Sequence, residues 1–127
     1  MSRSIFISHV HEDIQYIGTI EGWAQNRMLG DLVITVEAED KRSFGYEVIR
    51  GYIEDKIRNA SYVLVLVGKD THNHNWVRAE VELANSFQKK IICMRIPGTT
   101  SPPPPILSNY TAINFDVASL KKALDFE

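Results

Sequence analysis

Apolar residues along this chain fall into two kinds of block: short unbroken runs, and longer stretches with an apolar residue every three or four positions. The short runs predict strands at residues 4–8, 32–36, 62–67 and 91–96. Tyr62-Val63-Leu64-Val65-Leu66-Val67 is the clearest. It does not alternate, so both of its faces are expected to be buried, which marks a central parallel strand with helices on each side. The spaced blocks predict helices. Ile14, Ile17, Ile20, Ala24 and Met28 form one stripe, interrupted by Gly18 and Gly22 and ended by Gly30 and Asp31. Val48, Ile49, Tyr52, Ile53 and Ile57 form a second, with Ser43 as its cap. A helix over residues 76–89 turns Val77, Val81, Ala84 and Phe87 inward. A last helix holds Leu120 and Leu124, capped by Asp116 or Ser119, and residues 110–114 are read as a last strand before it.

Between these elements lie four segments with little to bury: residues 8–13, 37–45, 68–75 and 97–105. The second is charged (Glu37, Glu39, Asp40, Lys41, Arg42) and reads as an exposed loop. The fourth carries Pro102 to Pro105 in succession, a stiff extended connection that can also present itself to a proline-recognising domain. Alternating strands and helices predict a parallel sheet covered on both faces. Ligands of such sheets bind beyond the carboxyl ends of the strands, which is where these segments fall.

Composition narrows the class. The chain has 127 residues and a mass of 14.5 kDa, the size of one domain spanning residues 1–127. Apolar residues make up 44% and charged residues 24%, values that exclude an extended disordered chain. The formal charge of −2 excludes nucleic-acid binding through bulk positive charge. Cys93 is the only cysteine, so neither an intrachain disulfide nor a cysteine zinc knuckle is available. No run approaches the roughly 20 apolar residues of a membrane span, and the start lacks a signal peptide, so the expected setting is the cytoplasm.

Several chemistries are absent from the pattern. There is no Gly-x-Gly-x-x-Gly after the first strand, no Walker-type phosphate loop, no Gly-x-Ser-x-Gly elbow, and no carboxylate pair after the first strand. His9 with His11, and His72 with His74, form two His-x-His pairs. If their strands were neighbours they could bind a transition metal, with Glu12, Asp13 and Asp70 nearby; otherwise they are exposed loop histidines. Trp76 and Glu80 stand four apart at the presumed ligand edge and share a helix face with Leu83 and Phe87. Glu80 is therefore either a partly buried carboxylate needing a partner, or a solvated helix residue beside a packing anchor. Arg42, Lys41, Lys69 and Arg78 are candidate phosphate contacts, and Tyr46 or Trp76 can stack on a base or nicotinamide ring.

Three stretches together resemble the TIR (Toll/interleukin-1 receptor) domain superfamily, and more narrowly the small TIR-like proteins of Thoeris-type antiphage defence. They are Ser4-Ile5-Phe6-Ile7-Ser8 followed by Asp13; Asn59-Ala60-Ser61 leading into the strand at 62–67, with Gly68 and Thr71; and Asn75-Trp76-Val77-Arg78-Ala79-Glu80. Lys90-Ile91-Ile92-Cys93-Met94 is similar to the strand that follows in the family. Beyond residue 96 the likeness is poor: the proline run stands where the family often has a helix.

The resemblance implies a flavodoxin-like three-layer α/β fold with a five-stranded parallel sheet. It implies cleavage of the nicotinamide–ribose bond of NAD, which is substrate and not a resident cofactor, with no metal. Glu80 would be the catalytic glutamate. Phe6, Ser8 and His9 would line the cleft, Asp13 would organise the start of the first helix, and Trp76 would shape the nicotinamide side. Residues 37–45 would gate the site and take part in self-association. The product would be a cyclic ADP-ribose-type signal acting on a separate effector protein. Two other readings stay open: a non-catalytic interaction module, and another enzyme of nucleotide N-glycosidic bonds.

Overall fold

The strand at the centre is Tyr62–Val67 (β3), and all six of its side chains are buried. It lies in a parallel sheet with Arg3–Ser8 (β1), Leu32–Val36 (β2) and Lys90–Arg95 (β4), in the order β2-β1-β3-β4. The computed structural model describes residues 3–9, 13–30, 32–36, 46–69, 71, 75–101, 103, 105–107 and 109–125. Among them the helices are Ile14–Gln25 (α1), Tyr46–Arg58 (α2), Asn75–Ser86 (α3) and Val117–Asp125 (α4).

Strand alternation sorts the core into two layers. Val63, Val65 and Val67 of β3 join Phe6, Ile91 and Cys93 on one face, covered by Ile53 and Ile57 of α2 and Val77, Val81 and Ala84 of α3. Tyr62, Leu64 and Leu66 join Ile5, Ile7, Ile92 and Met94 on the other, covered by Ile17 and Ile20 of α1 and Leu120 and Leu124 of α4. Each fully buried side chain of this size contributes about 1.5–3 kcal/mol through removal from water. Burial also pushes the Cys93 thiol up to about 11, so it stays protonated and inert.

The five-stranded sheet expected from the sequence is corrected to four strands. Residues 110–114 touch β4 only through one parallel bridge, Met94 to Ile113, with Ile113 N–H donating to the Cys93 carbonyl at 2.8 Å and Arg95 N–H to the Ile113 carbonyl at 2.9 Å. The segment is constrained from both sides. A 3-10 turn at Pro105–Leu107 holds its start, where Tyr110 N–H reaches the Leu107 carbonyl, and Leu107 is buried under the α3 face. At its end Phe115 leaves the sheet to pack on Tyr16 and Trp23 of α1, with ring centroids 5.3 and 5.2 Å away. Asp116 then accepts the Ser119 N–H at 2.7 Å and starts α4. Between these anchors the segment makes one bridge to β4 and is not a strand.

Helix ends also depart from the sequence pattern. α1 stops at Gln25, short of Gly30, because Arg27 takes the left-handed conformation (φ 60°), with Met28 N–H bonding the Trp23 carbonyl. Gln88 (φ 58°) ends α3 in the same way, through Lys89 N–H and the Ala84 carbonyl. Phe87, just before it, is only partly buried, and the Arg58 guanidinium lies 5.0 Å above its ring. Among the described residues no helix is long and apolar enough to cross a membrane.

Candidate active site

β1 lies between β2 and β3, so the connections leaving β1 and β3 diverge to opposite sides. A parallel sheet opens a crevice at such a point, beyond the strand carboxyl ends. The buried polar residues of the described chain are Ser8, His9, Asp13, Thr71 and Glu80: Ser8 ends β1, and three others come from the segments that follow β1 and β3. Glu80 reaches the same place from α3.

Ser8 closes β1 opposite Val65 of β3. Alternation puts it on the same face as Phe6, the face that α3 covers. Glu80 lies one turn after Val77 and beside Val81, on the buried side of α3. The two side chains meet there: Ser8 Oγ donates to Glu80 Oε1 at 2.6 Å, and neither residue is exposed at all. That distance is at the short end for a hydroxyl on a carboxylate, the range of charge-assisted bonds. Glu80 is thus buried more completely than the partial burial expected of it, and it is not a solvated helix residue.

The turn after β3 is built from its own side chain. Thr71 Oγ1 accepts the Gly68 N–H at 2.8 Å and donates to the Leu66 carbonyl at 3.1 Å, folding the chain back over the strand end. Gly68 then faces the Asp13 carboxylate, and a Cβ at position 68 would lie 3.0 Å from Asp13 Cγ. Only glycine admits the carboxylate so close. Asp13 occupies the N-cap position of α1 without a side-chain capping bond, its carboxylate lying against Gly68. The Gly68-x-x-Thr71 spacing was the available signal for this turn, and its part in seating Asp13 was not read from the sequence.

The other expected site residues divide as follows. Phe6 is fully buried in the core layer under α2 and α3, so it packs the sheet. His9 is 1% exposed, which removes the reading of it as an exposed loop histidine. Tyr46 opens α2 and Trp76 is the second residue of α3, but their side chains lie outside what is described, as does the whole of Arg42. His11, His72, His74, Glu12 and Asp70, and the segment 37–45, also lie outside the described residues. Among those described, no group of three or more His, Cys, Asp or Glu side chains could hold a metal ion.

A four-stranded parallel α/β domain with a buried glutamate at its strand ends is a TIR-like architecture. Among solved structures, the TIR domain of the Toll-related receptor TRR-2 from Hydra magnipapillata matches with a TM-score of 0.62 at 15% identity, over 87% of this chain and 82% of that one. A 2-desoxiribosyltransferase from Leishmania mexicana matches with a TM-score of 0.61 at 14% identity, over 98% and 99%. At such identities these likenesses speak to the fold. No curated protein matches the chain in sequence. The family model of the Thoeris protein ThsB TIR-like domain matches residues 6–101, and the chain belongs to that family.

Proposed function

We propose that this chain cleaves the bond between nicotinamide and ribose in NAD, with Glu80 as the catalytic carboxylate, and releases a cyclic ADP-ribose-type nucleotide as a signal. The observation that carries the reading is the Ser8–Glu80 contact, a carboxylate held in a dry place at the crevice of a TIR-like sheet. Membership in the Thoeris family supports the choice of NAD.

Nicotinamide is cationic in NAD and leaves neutral, taking the electron pair of the broken bond. The ribose is left with oxocarbenium character, and it needs no proton from the enzyme. An ionised Glu80 beside the ribose hydroxyls stabilises that charge where few waters compete. Its role matches the charge-stabilising carboxylate of glycosidases. Attack on C1′ by water gives ADP-ribose; attack by a group of the same molecule gives a cyclic isomer lighter by one water. The signal acts in the cytoplasm on a separate effector, and self-association of the chain regulates the site.

A second reading has one observation in its favour, the end-to-end match to the desoxiribosyltransferase. On it, Glu80 serves transfer of a deoxyribosyl group between bases. The test sets both substrates side by side: purified protein with NAD, and with a 2′-deoxynucleoside plus a second free base, followed by mass spectrometry. Nicotinamide with a product of ADP-ribose mass less one water supports the proposal. Linear ADP-ribose alone reduces it to NAD hydrolysis. Base exchange on the deoxynucleoside without nicotinamide release replaces it with the second reading, and inertness toward both turns it to a non-catalytic module.

A further inference from the structure

We infer that Ser8 is a positioning residue for Glu80. The inference rests on the proposed role of Glu80 for its kinetic arm and on geometry for the rest. A serine hydroxyl has one proton to give. Here it goes to Glu80 Oε1 at 2.6 Å, and Ser8 presents no surface to solvent.

The mounting suits the task. Ser8 ends β1, the strand flanked by β2 and β3, and it is paired directly with Val65. Phe6, two residues earlier on the same face, is locked in the core against α2 and α3. The hydroxyl is therefore fixed by a central strand, while Glu80 projects from α3 on a side chain with three rotatable torsions. Tying one carboxylate oxygen removes most of that freedom and leaves the other oxygen in a set direction. A misplacement of about 1 Å in a reacting group can cost about 100-fold in rate, so a tie of this kind belongs to the catalytic geometry. It also explains why a serine ends a strand whose three preceding residues are apolar and buried.

The competing role is a structural tie between β1 and α3, and the experiment separates the two. Ser8→Ala and Ser8→Cys are compared with wild type for NAD turnover, for thermal midpoint, and for the 13C resonance of the Glu80 carboxyl group, identified by its loss in Glu80→Gln. Cysteine fills the site with a side chain of the same shape and supplies only a weak donor, and so stands in if alanine disturbs the fold. Positioning predicts kcat lower by about 10- to 100-fold in both variants with KM within about 3-fold, measured well below the melting midpoint, with recovery in Ser8→Thr. It also predicts a displaced or broadened Glu80 carboxyl resonance. Unchanged kcat, or a raised KM with kcat intact, overturns it while leaving NAD cleavage standing. If wild type cleaves no NAD, the reading of Glu80 fails and the positioning role of Ser8 falls with it; an unmoved resonance in Ser8→Ala would overturn the contact as well.

Discussion

The two ends of the sheet spend their polar groups differently. At the amino end, Arg3, Tyr62 and Lys90 begin β1, β3 and β4 and converge on the carboxyl end of α4. Arg3 Nη1 donates to the Leu124 carbonyl at 2.8 Å and to Tyr62 Oη at 3.1 Å, Tyr62 Oη donates to the Leu124 carbonyl at 3.0 Å, and Lys90 Nζ donates to the Ala123 carbonyl at 2.8 Å. Both cations also approach the Tyr62 ring, each 5.9 Å from its centre. These carbonyls are the ones a helix end leaves without internal partners, and cations there are favoured by the helix dipole. At the carboxyl end, carboxyl groups are buried instead: Glu80 against Ser8, and Asp13 against Gly68. The first arrangement satisfies donors and acceptors and holds α4 in place. The second takes two carboxyl groups out of water, which is the arrangement the proposed chemistry uses.

The comparison can be broken from either end. The largest effect belongs to Glu80→Gln, expected to lower nicotinamide release by about 100-fold or more with the circular dichroism unchanged. Retained activity would remove the distinction between the ends. Next comes Gly68→Ala. The added methyl meets the Asp13 carboxylate, and the expected loss is about 1–3 kcal/mol by chemical denaturation. Pairing it with Asp13→Ala should recover part of that loss, whereas simple additivity would show that the close approach carries no cost. Gly18→Ala is the counterpart: a Cβ there meets nothing within 4 Å, so a gain of about 0.5–1 kcal/mol is expected from helix propensity.

At the amino end, Tyr62→Phe should cost about 1–2 kcal/mol, because it strips the acceptor from Arg3 and the donor from the Leu124 carbonyl. Nicotinamide release should be untouched, and a parallel loss of activity would couple the two ends. The smallest effect is at Asp116. The Ser119 backbone N–H, with the Ser119 side chain next, holds its carboxyl below the usual value of 3.8 in the folded state. A depressed folded value contributes stability above the unfolded pKa that is lost as pH falls through the folded one. Asp116→Ala should therefore lower the melting midpoint slightly at pH 7, and the gap should narrow in melts below pH 3.8.

What the sequence disclosed follows the strength of its physical signal. β2 and β3 were legible to the residue, β3 because an unbroken apolar run admits few other readings and β2 because the β-branched residues of Leu-Val-Ile-Thr-Val favour a strand. Glu80 was legible as a residue on a shared face of α3, since helical spacing fixes faces. Residues 110–114 were misread because Tyr110, Ala112 and Ile113 look strand-like, while the anchors that limit their pairing, Leu107 and Phe115, act through distant contacts. Helix ends at Arg27 and Gln88 escaped notice because the left-handed cap falls there on residues other than glycine. The clamp of Arg3, Tyr62 and Lys90 joins residues as far as 121 positions apart, which no local pattern encodes.

The measurement that bears most directly on the account is nicotinamide release from NAD by wild type and Glu80→Gln, assayed together at equal, high protein concentration. Release by wild type and its near-complete loss in the variant is the predicted result. Equal release by both, or none by wild type, would contradict the assignment of catalysis to the buried carboxylate beneath Ser8.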